Sequence, residues 1–545
     1  MSIQQPTPLY LHRLCVKQKK YLPLHYVGAN YNLMSCIPPF AQKLFLICFT
    51  LLFTFISSVI CAQPIITQHY AEPNYTKTDT LDFLLSNADS LRKNGESIHT
   101  TPVYFIVQKV LTVGNKLTKN TIILREMDIA EGDTLYAENL EEVLERNRNQ
   151  IYNTRLFNEV SLKINSQQNT LIEITVQVEE RWYIIPAPIF ELADRNFNEW
   201  WVTHKRSLQR TEYGFLFVHQ NFRGRKELLK TLVQLGYTKK IELSYVIPFI
   251  DKQRKTGINP FISYITNREV QYITANNKQQ FYRDENRIIR MRFKAGIGVT
   301  RRPNIRTNHY FNLSYFYNTI DDTVAVINPN YFLNGKTKQQ YLHARYEFTE
   351  DHRDIAAYPL KGYHYGFLIA KSGFGIGSDL NQLWLTARYS KYQELGKSWY
   401  ASANLRAKTS FPTKQPYFNQ EGLGFGGNNL PGYEYYIIDG QHYAMLRTTL
   451  KYEVVKLKII NPLFKKLTQF RTIPFAAYIK TYAGAAYVQD NFYNKNNPLT
   501  NTWLASGGVG IDIHTLYDKV LSFEYSFNRH DKKGGLFISY NITYD

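Results

Sequence analysis

The sequence predicts a mostly β chain, a transmembrane antiparallel β-barrel of about sixteen strands preceded by one small α+β domain. Three observations lead there. The last nine residues alternate so that Ile538, Tyr540, Ile542 and Tyr544 share one face and Ser539, Asn541 and Thr543 the other, the period of a strand with hydrocarbon on one side and water on the other. Charged residues then recur on a single parity in the interior of the chain. In 341–348, Leu342, Ala344, Tyr346 and Phe348 oppose His343, Arg345 and Glu347; in 399–408, Ala401, Ala403, Leu405 and Ala407 oppose Ser402, Asn404, Arg406 and Lys408. An Arg facing lipid near the midplane costs about 2–4 kcal/mol, so the charged parity belongs in a wet lumen. Finally, the 545 residues include 42 Tyr and 33 Phe, yet the mean hydropathy is −0.36. Membrane helices cannot be that polar, whereas a barrel turns only every second residue to lipid.

The elements follow in chain order. Residues 44–60 form a 17-residue apolar run after Lys43 and before Cys61-Ala62-Gln63. This reads as a secretory signal, residues 1–62, with a retained signal anchor as the alternative. Ile60, where a small residue should precede a lipidated Cys61, opposes a lipoprotein signal. The n-region is unusually long, and Met34 offers a later start. All four cysteines, Cys15, Cys36, Cys48 and Cys61, lie in this segment, which suits export into an oxidising compartment. The net charge of +20 includes five cations and no acid before Gln63, leaving +15 beyond it. Lumen cations and anionic lipid account for that charge, and no nucleic-acid partner is expected.

Residues 63–101 are polar, with a short amphipathic helix at 80–93, and read as a linker. Residues 102–181 form a compact unit of order β-α-α-β-β. It comprises an apolar run at 103–111, a turn at Gly114-Asn115, helices at 121–126 and 139–149, and strands at 160–164 and 171–178. Residues 182–545 form the barrel. Its candidate strands are 184–192, 214–222, 228–235, 241–247, 260–265, 288–299, 309–318, 341–348, 363–370, 383–392, 399–408, 444–454, 476–488, 507–514, 521–527 and 537–545. An even number returns both ends of the barrel to the same side of the membrane.

The unit at 102–181, with Gly114-Asn115, Arg155-Leu156-Phe157 and Val178-Glu179-Glu180 in place, resembles a POTRA domain, a module that binds extended peptide by strand addition. The signal, this unit and the barrel together resemble the BamA/TamA-type outer-membrane assembly superfamily, which includes two-partner secretion transporters. Tyr358-Pro359-Leu360-Lys361-Gly362-Tyr363 is similar to that family's turn into a mid-barrel strand, and 424–440 to its long lumen-entering loop. The loop tip, apolar-Arg-Gly-aromatic in the family, here reads Leu430-Pro431-Gly432-Tyr433. The Arg is missing. Its acidic acceptor corresponds to Asp512, which parity turns inward; Arg447, Lys451 or water is the expected partner. The closing strand, with Ile538, Tyr540, Ile542 and Tyr544 outward, ends on Asp545 rather than on an aromatic residue.

The resemblance implies an outer-membrane location with the small domain in the periplasm. It also implies a role in protein insertion or translocation: the domain captures extended client protein and the barrel passes it to or across the membrane. Partners would be unfolded outer-membrane or secreted clients, outer-membrane lipid, and periplasmic chaperones or assembly lipoproteins. A passive pore or ligand receptor with a merely structural small domain is the alternative. No enzyme is expected and no cofactor: beyond residue 61 there is no Cys, no H-E-x-x-H, no G-x-x-x-x-G-K-[ST] phosphate loop and no G-x-S-x-G. The glycines at 422–427 lack the strand-to-helix context of a dinucleotide site.

Overall fold

The computed structural model describes residues 103–541, apart from 169, 193–199, 202–204, 209–210, 285, 376, 426, 462–467 and 532–533. All of these lie within one compact unit, His69–Asp545. The expected signal peptide, the alternative start at Met34, the linker helix, and Ile542 and Tyr544 of the last strand lie outside the described residues.

The N-terminal domain begins with β1 (Tyr104–Val113), α1 (Asn120–Leu124), β2 (Thr134–Tyr136) and α2 (Leu140–Tyr152). It ends with β3 (Phe157–Gln168) and β4 (Leu171–Glu180). Its sheet order is β2-β1-β4-β3, with β1 and β4 parallel. On β4 every second residue, Ile172, Ile174, Val176 and Val178, is buried. Helix α2 covers that face with Leu140, Leu144 and Ile151, which recur at helical spacing. Asn147, also buried, accepts the Asp128 amide at 2.7 Å and ties the α1–β2 connection to α2. Strand β2 is an addition to the expected β-α-α-β-β order. Three residues long, it exists through pairing with Tyr104–Ile106 rather than through any periodicity of its own.

The barrel sheet has sixteen strands. They are β5 (Ile184–Leu192), β6 (Thr211–Phe222), β7 (Glu227–Gly236), β8 (Thr238–Val246), β9 (Thr256–Asn267), β12 (Arg290–Arg301), β13 (Thr307–Ile320) and β14 (Lys338–Asp351), followed by the C-terminal half. That half consists of β15 (Gly362–Ser372), β16 (Gln382–Gly396), β17 (Trp399–Phe411), β18 (His442–Ile460), β19 (Thr472–Gln489), β20 (Trp503–Thr515), β21 (Lys519–Asn528) and β22 (Gly535–Asn541). Each overlaps one strand expected from the sequence. Register explains why alternation was so legible: Tyr389 lies opposite Leu405 and Leu405 opposite Leu446, an exposed apolar belt. On the other parity Arg388 faces Arg406. These like charges are separated by their partners, Glu347 at 2.6 Å from Arg388 and Asn428 bonded to Arg406.

The hairpin of β10 (Glu269–Ala275) and β11 (Lys278–Arg283) was not anticipated. With α3 (Asp322–Ile327), it joins loop residues Tyr331, Phe332 and Tyr417 in an apolar cluster at the end of the barrel far from the N-terminal domain. The ladders run consecutively from β22 back to β5, and among the described residues none joins β22 to β5.

Candidate functional site

The loop tip is a β-turn. The Tyr433 amide donates to the Leu430 carbonyl at 3.0 Å, Pro431 holds the second position and Gly432, at φ +84°, the third. Pro then Gly is the residue choice of a type II turn. A Cβ on Gly432 would stand 2.8 Å from the Phe527 carbonyl oxygen, so the third position admits only glycine on both counts. Leu430 and Tyr433 are buried with Leu423, Ile438, Met445 and Leu504. The Tyr433 hydroxyl reaches the Ala505 carbonyl at 3.3 Å, and Asn528 donates to the Gly432 carbonyl at 2.6 Å. The tip is therefore fixed on the outer ends of β20 and β21.

Asp512 is at the other end of β20, seven residues from Ala505, or roughly 23 Å along a strand. Tip and acidic acceptor do not meet, and neither expected cation is the ion-pair partner of Asp512. Lys451 lies 3.8 Å above the Tyr358 ring and Arg447 donates to the Asn429 carbonyl at 3.4 Å. The cation is Lys480 of β19, 2.6 Å from Asp512 and 2.6 Å from Glu524. Ser522 donates to Asp512 at 2.6 Å and the Tyr358 hydroxyl at 2.9 Å. The turn 352–361 thus brings the Tyr358 hydroxyl to Asp512 beside Lys480. The sequence signal was available in Gly508 and Gly510. Both share the inward parity of Asp512, and a Cβ there would meet the Tyr482 hydroxyl at 2.5 Å or the Lys480 Cε at 3.1 Å. Side chains missing from one strand mark where large ones from the next lie across it.

The N-terminal domain is seated on the inner turns of the barrel. The Lys119 amide donates to the Gly224 carbonyl at 3.0 Å, and Asn153 bonds the turn at Asp354 and Ala356 at 2.8 and 2.9 Å. Asn158 donates to the Gln469 carbonyl at 2.8 Å. Two buried ion pairs anchor this seat. Arg181 meets Asp518 at 2.8 Å, and Tyr152 donates to the same carboxylate at 2.8 Å. Glu126 takes both Arg302 nitrogens at 2.9 Å, with Lys226 at 3.9 Å. Burial would raise the Glu126 carboxyl, but Lys226 and Arg302 outweigh it and hold it at about 2. Burial lowers Lys226 to about 8 in spite of Glu126. None of these six ionic and hydroxyl partners stands out in sequence, because each pair spans the two domains.

Of the closing strand, Ile538 and Tyr540 are 57% and 53% exposed on the outer face. Among the described residues no three His, Cys, Asp or Glu side chains gather as a metal site.

Comparison with known families matches residues 221–515 to the Omp85 superfamily domain and residues 105–181 to the POTRA model described as surface antigen variable number repeat. Among solved structures, the chain is similar to BamA from Haemophilus ducreyi lacking POTRA domains 1–3, at 14% identity over 80% of this chain and 84% of that one, with a TM-score of 0.44. It is also similar to CdiB from Escherichia coli, at 11% identity over 80% and 75%, TM-score 0.48. CdiB from Acinetobacter baumannii gives 10% identity over 81% and 74%, TM-score 0.41. No curated protein sequence matches.

Proposed function

The chain belongs to the Omp85 superfamily, an outer-membrane β-barrel with a periplasmic POTRA domain, and from that premise we propose that it assembles or translocates client protein. In this reading the periplasmic domain captures extended client along a sheet edge. Of the two edges, β2 has three residues and β3 twelve, so β3 has the length a client strand needs. The client is then delivered to a barrel whose interior is polar and whose wall has a seam between β5 and β22. No bond is made or broken. Clients are unfolded outer-membrane or secreted proteins, with outer-membrane lipid around the barrel and periplasmic chaperones or assembly lipoproteins upstream. The Leu430–Tyr433 turn steadies the outer lumen wall, and Asp512 with Lys480 and Tyr358 steadies the inner one.

The observation that carries this reading is the seam: fifteen consecutive ladders join the sixteen strands around the wall and none, among the described residues, links its two ends. Unpaired sheet edges recruit strands. The test is a cysteine pair engineered across β5 and β22, clean because no cysteine follows residue 61. Oxidation is expected to stop client assembly and reduction to restore it; full activity with the seam locked discards the mechanism. Depletion followed by an outer-membrane proteome would identify the client class.

A further inference from the structure

The first strand of the barrel carries two prolines two residues apart, Pro186 and Pro188. Backbone parity decides which edge they disable. The Gln220 amide donates to the Tyr183 carbonyl at 2.8 Å, and the β5–β6 register continues from Ile184 opposite His219 to Leu192 opposite Thr211 without a shift. Residues that bond one neighbour alternate with residues that face the other way. Ile185, Ala187, Ile189 and Glu191 therefore bond β6, while Ile184, Pro186, Pro188, Phe190 and Leu192 turn their backbone toward the seam. Strand β6 gives the same answer independently. The Tyr237 amide donates to the Thr211 carbonyl at 3.1 Å, so odd residues of β6 bond β7 and even ones are left for β5.

The seam edge of β5 consequently has no N–H between Ile184 and Phe190. The Ile184 carbonyl is also engaged, by the indole N–H of Trp182. Proline at the open side of an edge strand is a known way of blunting it. Here the blunt stretch is the part next to the periplasmic domain, where a client would first reach the seam. Beyond it Phe190 supplies the next donor, and its side chain is 73% exposed.

We propose that Pro186, Pro188 and Trp182 restrict strand pairing on β5 to its outer end, from Phe190 onward, so that an extended client strand is held there and left unzipped on the periplasmic side. This rests on the seam reading above, yet the two fail separately: a locked seam with full activity removes the first, and the following measurement decides the second. The probe is a synthetic peptide copying residues 537–545 with a photoreactive group in place of Tyr540, added to the full chain in lipid nanodiscs, with adducts located by mass spectrometry. Wild-type protein is expected to be labelled on β5 only at Phe190 and beyond. In the P186V/P188V variant labelling should extend to Ile184, and the yield on β5 should rise about tenfold, the order expected of restored net hydrogen bonds. Equal labelling in the two proteins overturns the proposal, whether both are labelled along the whole strand or neither is. P188V alone, which restores a single donor, gives the same comparison should the double variant fail to fold, and W182F should extend labelling toward Ile184 less than either.

Discussion

Lys480 is the cation with which Asp512 pairs. It bridges Asp512 and Glu524 at 2.6 Å each while 9% exposed, and Gly510 opposite it provides the room. Removing one member of a buried pair leaves the other charge stranded, typically at about 3–5 kcal/mol. Ser522 and Tyr358 still bond Asp512, so K480M should fall at or just below the lower end, about 2–3 kcal/mol. The check is the temperature at which the unboiled protein loses its folded electrophoretic mobility. It should drop clearly in K480M and recover most of the loss in K480M/D512N; an unchanged K480M would show that the pair adds nothing. Asp512 was legible because inward parity is a property of its own strand. Lys480 was not, because its partnership depends on stagger between strands, which one strand's pattern does not contain. The tip turn shows the same division: Pro431-Gly432 declares a turn, but its seat on Ala505 and Asn528 is set by the path of a long loop.

The periplasmic domain is held by elements rather than by one contact, and its ionic anchors give it a pH signature. Glu126 falls from the ordinary 4.5 to about 2 on docking. A depressed carboxyl contributes its full stabilisation above pH 4.5 and loses it as pH falls toward 2, so docking should weaken across that acid window. Lys226 is lowered from 10.5 to about 8. Burial there penalises the charged form, so its unfavourable contribution is relieved as pH rises from 8 to 10.5, with Arg302 still charged beside Glu126. Hydrogen exchange of Asn120–Leu124 reads both limbs, protection falling below pH 4.5 and rising modestly above 8. E126Q should abolish the acid limb and expose the junction near Arg181 to trypsin even at neutral pH; a variant with wild-type protection would place the anchor elsewhere. The barrel strands were readable in sequence because half of every strand meets lipid, which enforces period two. Strand β2 and the β10–β11 hairpin escaped because no such solvent contrast acts on them: the first is defined by its partner and the second is packed under loops.

The wall, the domain beneath it and the loops above it together determine what can pass. Contacts from the domain reach turns spread around the ring, at Gly224, Arg302, Asp354, Gln469 and Asp518. A body touching so much of the inner rim lies across the mouth rather than beside it. At the far end, Tyr331, Phe332 and Tyr417 pack under the β10–β11 hairpin, and Leu430 and Tyr433 fill the outer lumen. Ions crossing this barrel would therefore have to pass two covers, which argues against a standing pore of the width sixteen strands can enclose. In planar bilayers the full chain should show small, infrequent conductance. Deletion of residues 102–181 should raise the open probability without abolishing insertion, because the barrel strands bury their own backbone. Weakening the seat with R181A should give an intermediate result, since Asp518 would then lack its 2.8 Å partner. Conductance that is large and steady in the full chain, and indifferent to the deletion, would support the passive-pore alternative and leave the periplasmic domain as a spacer.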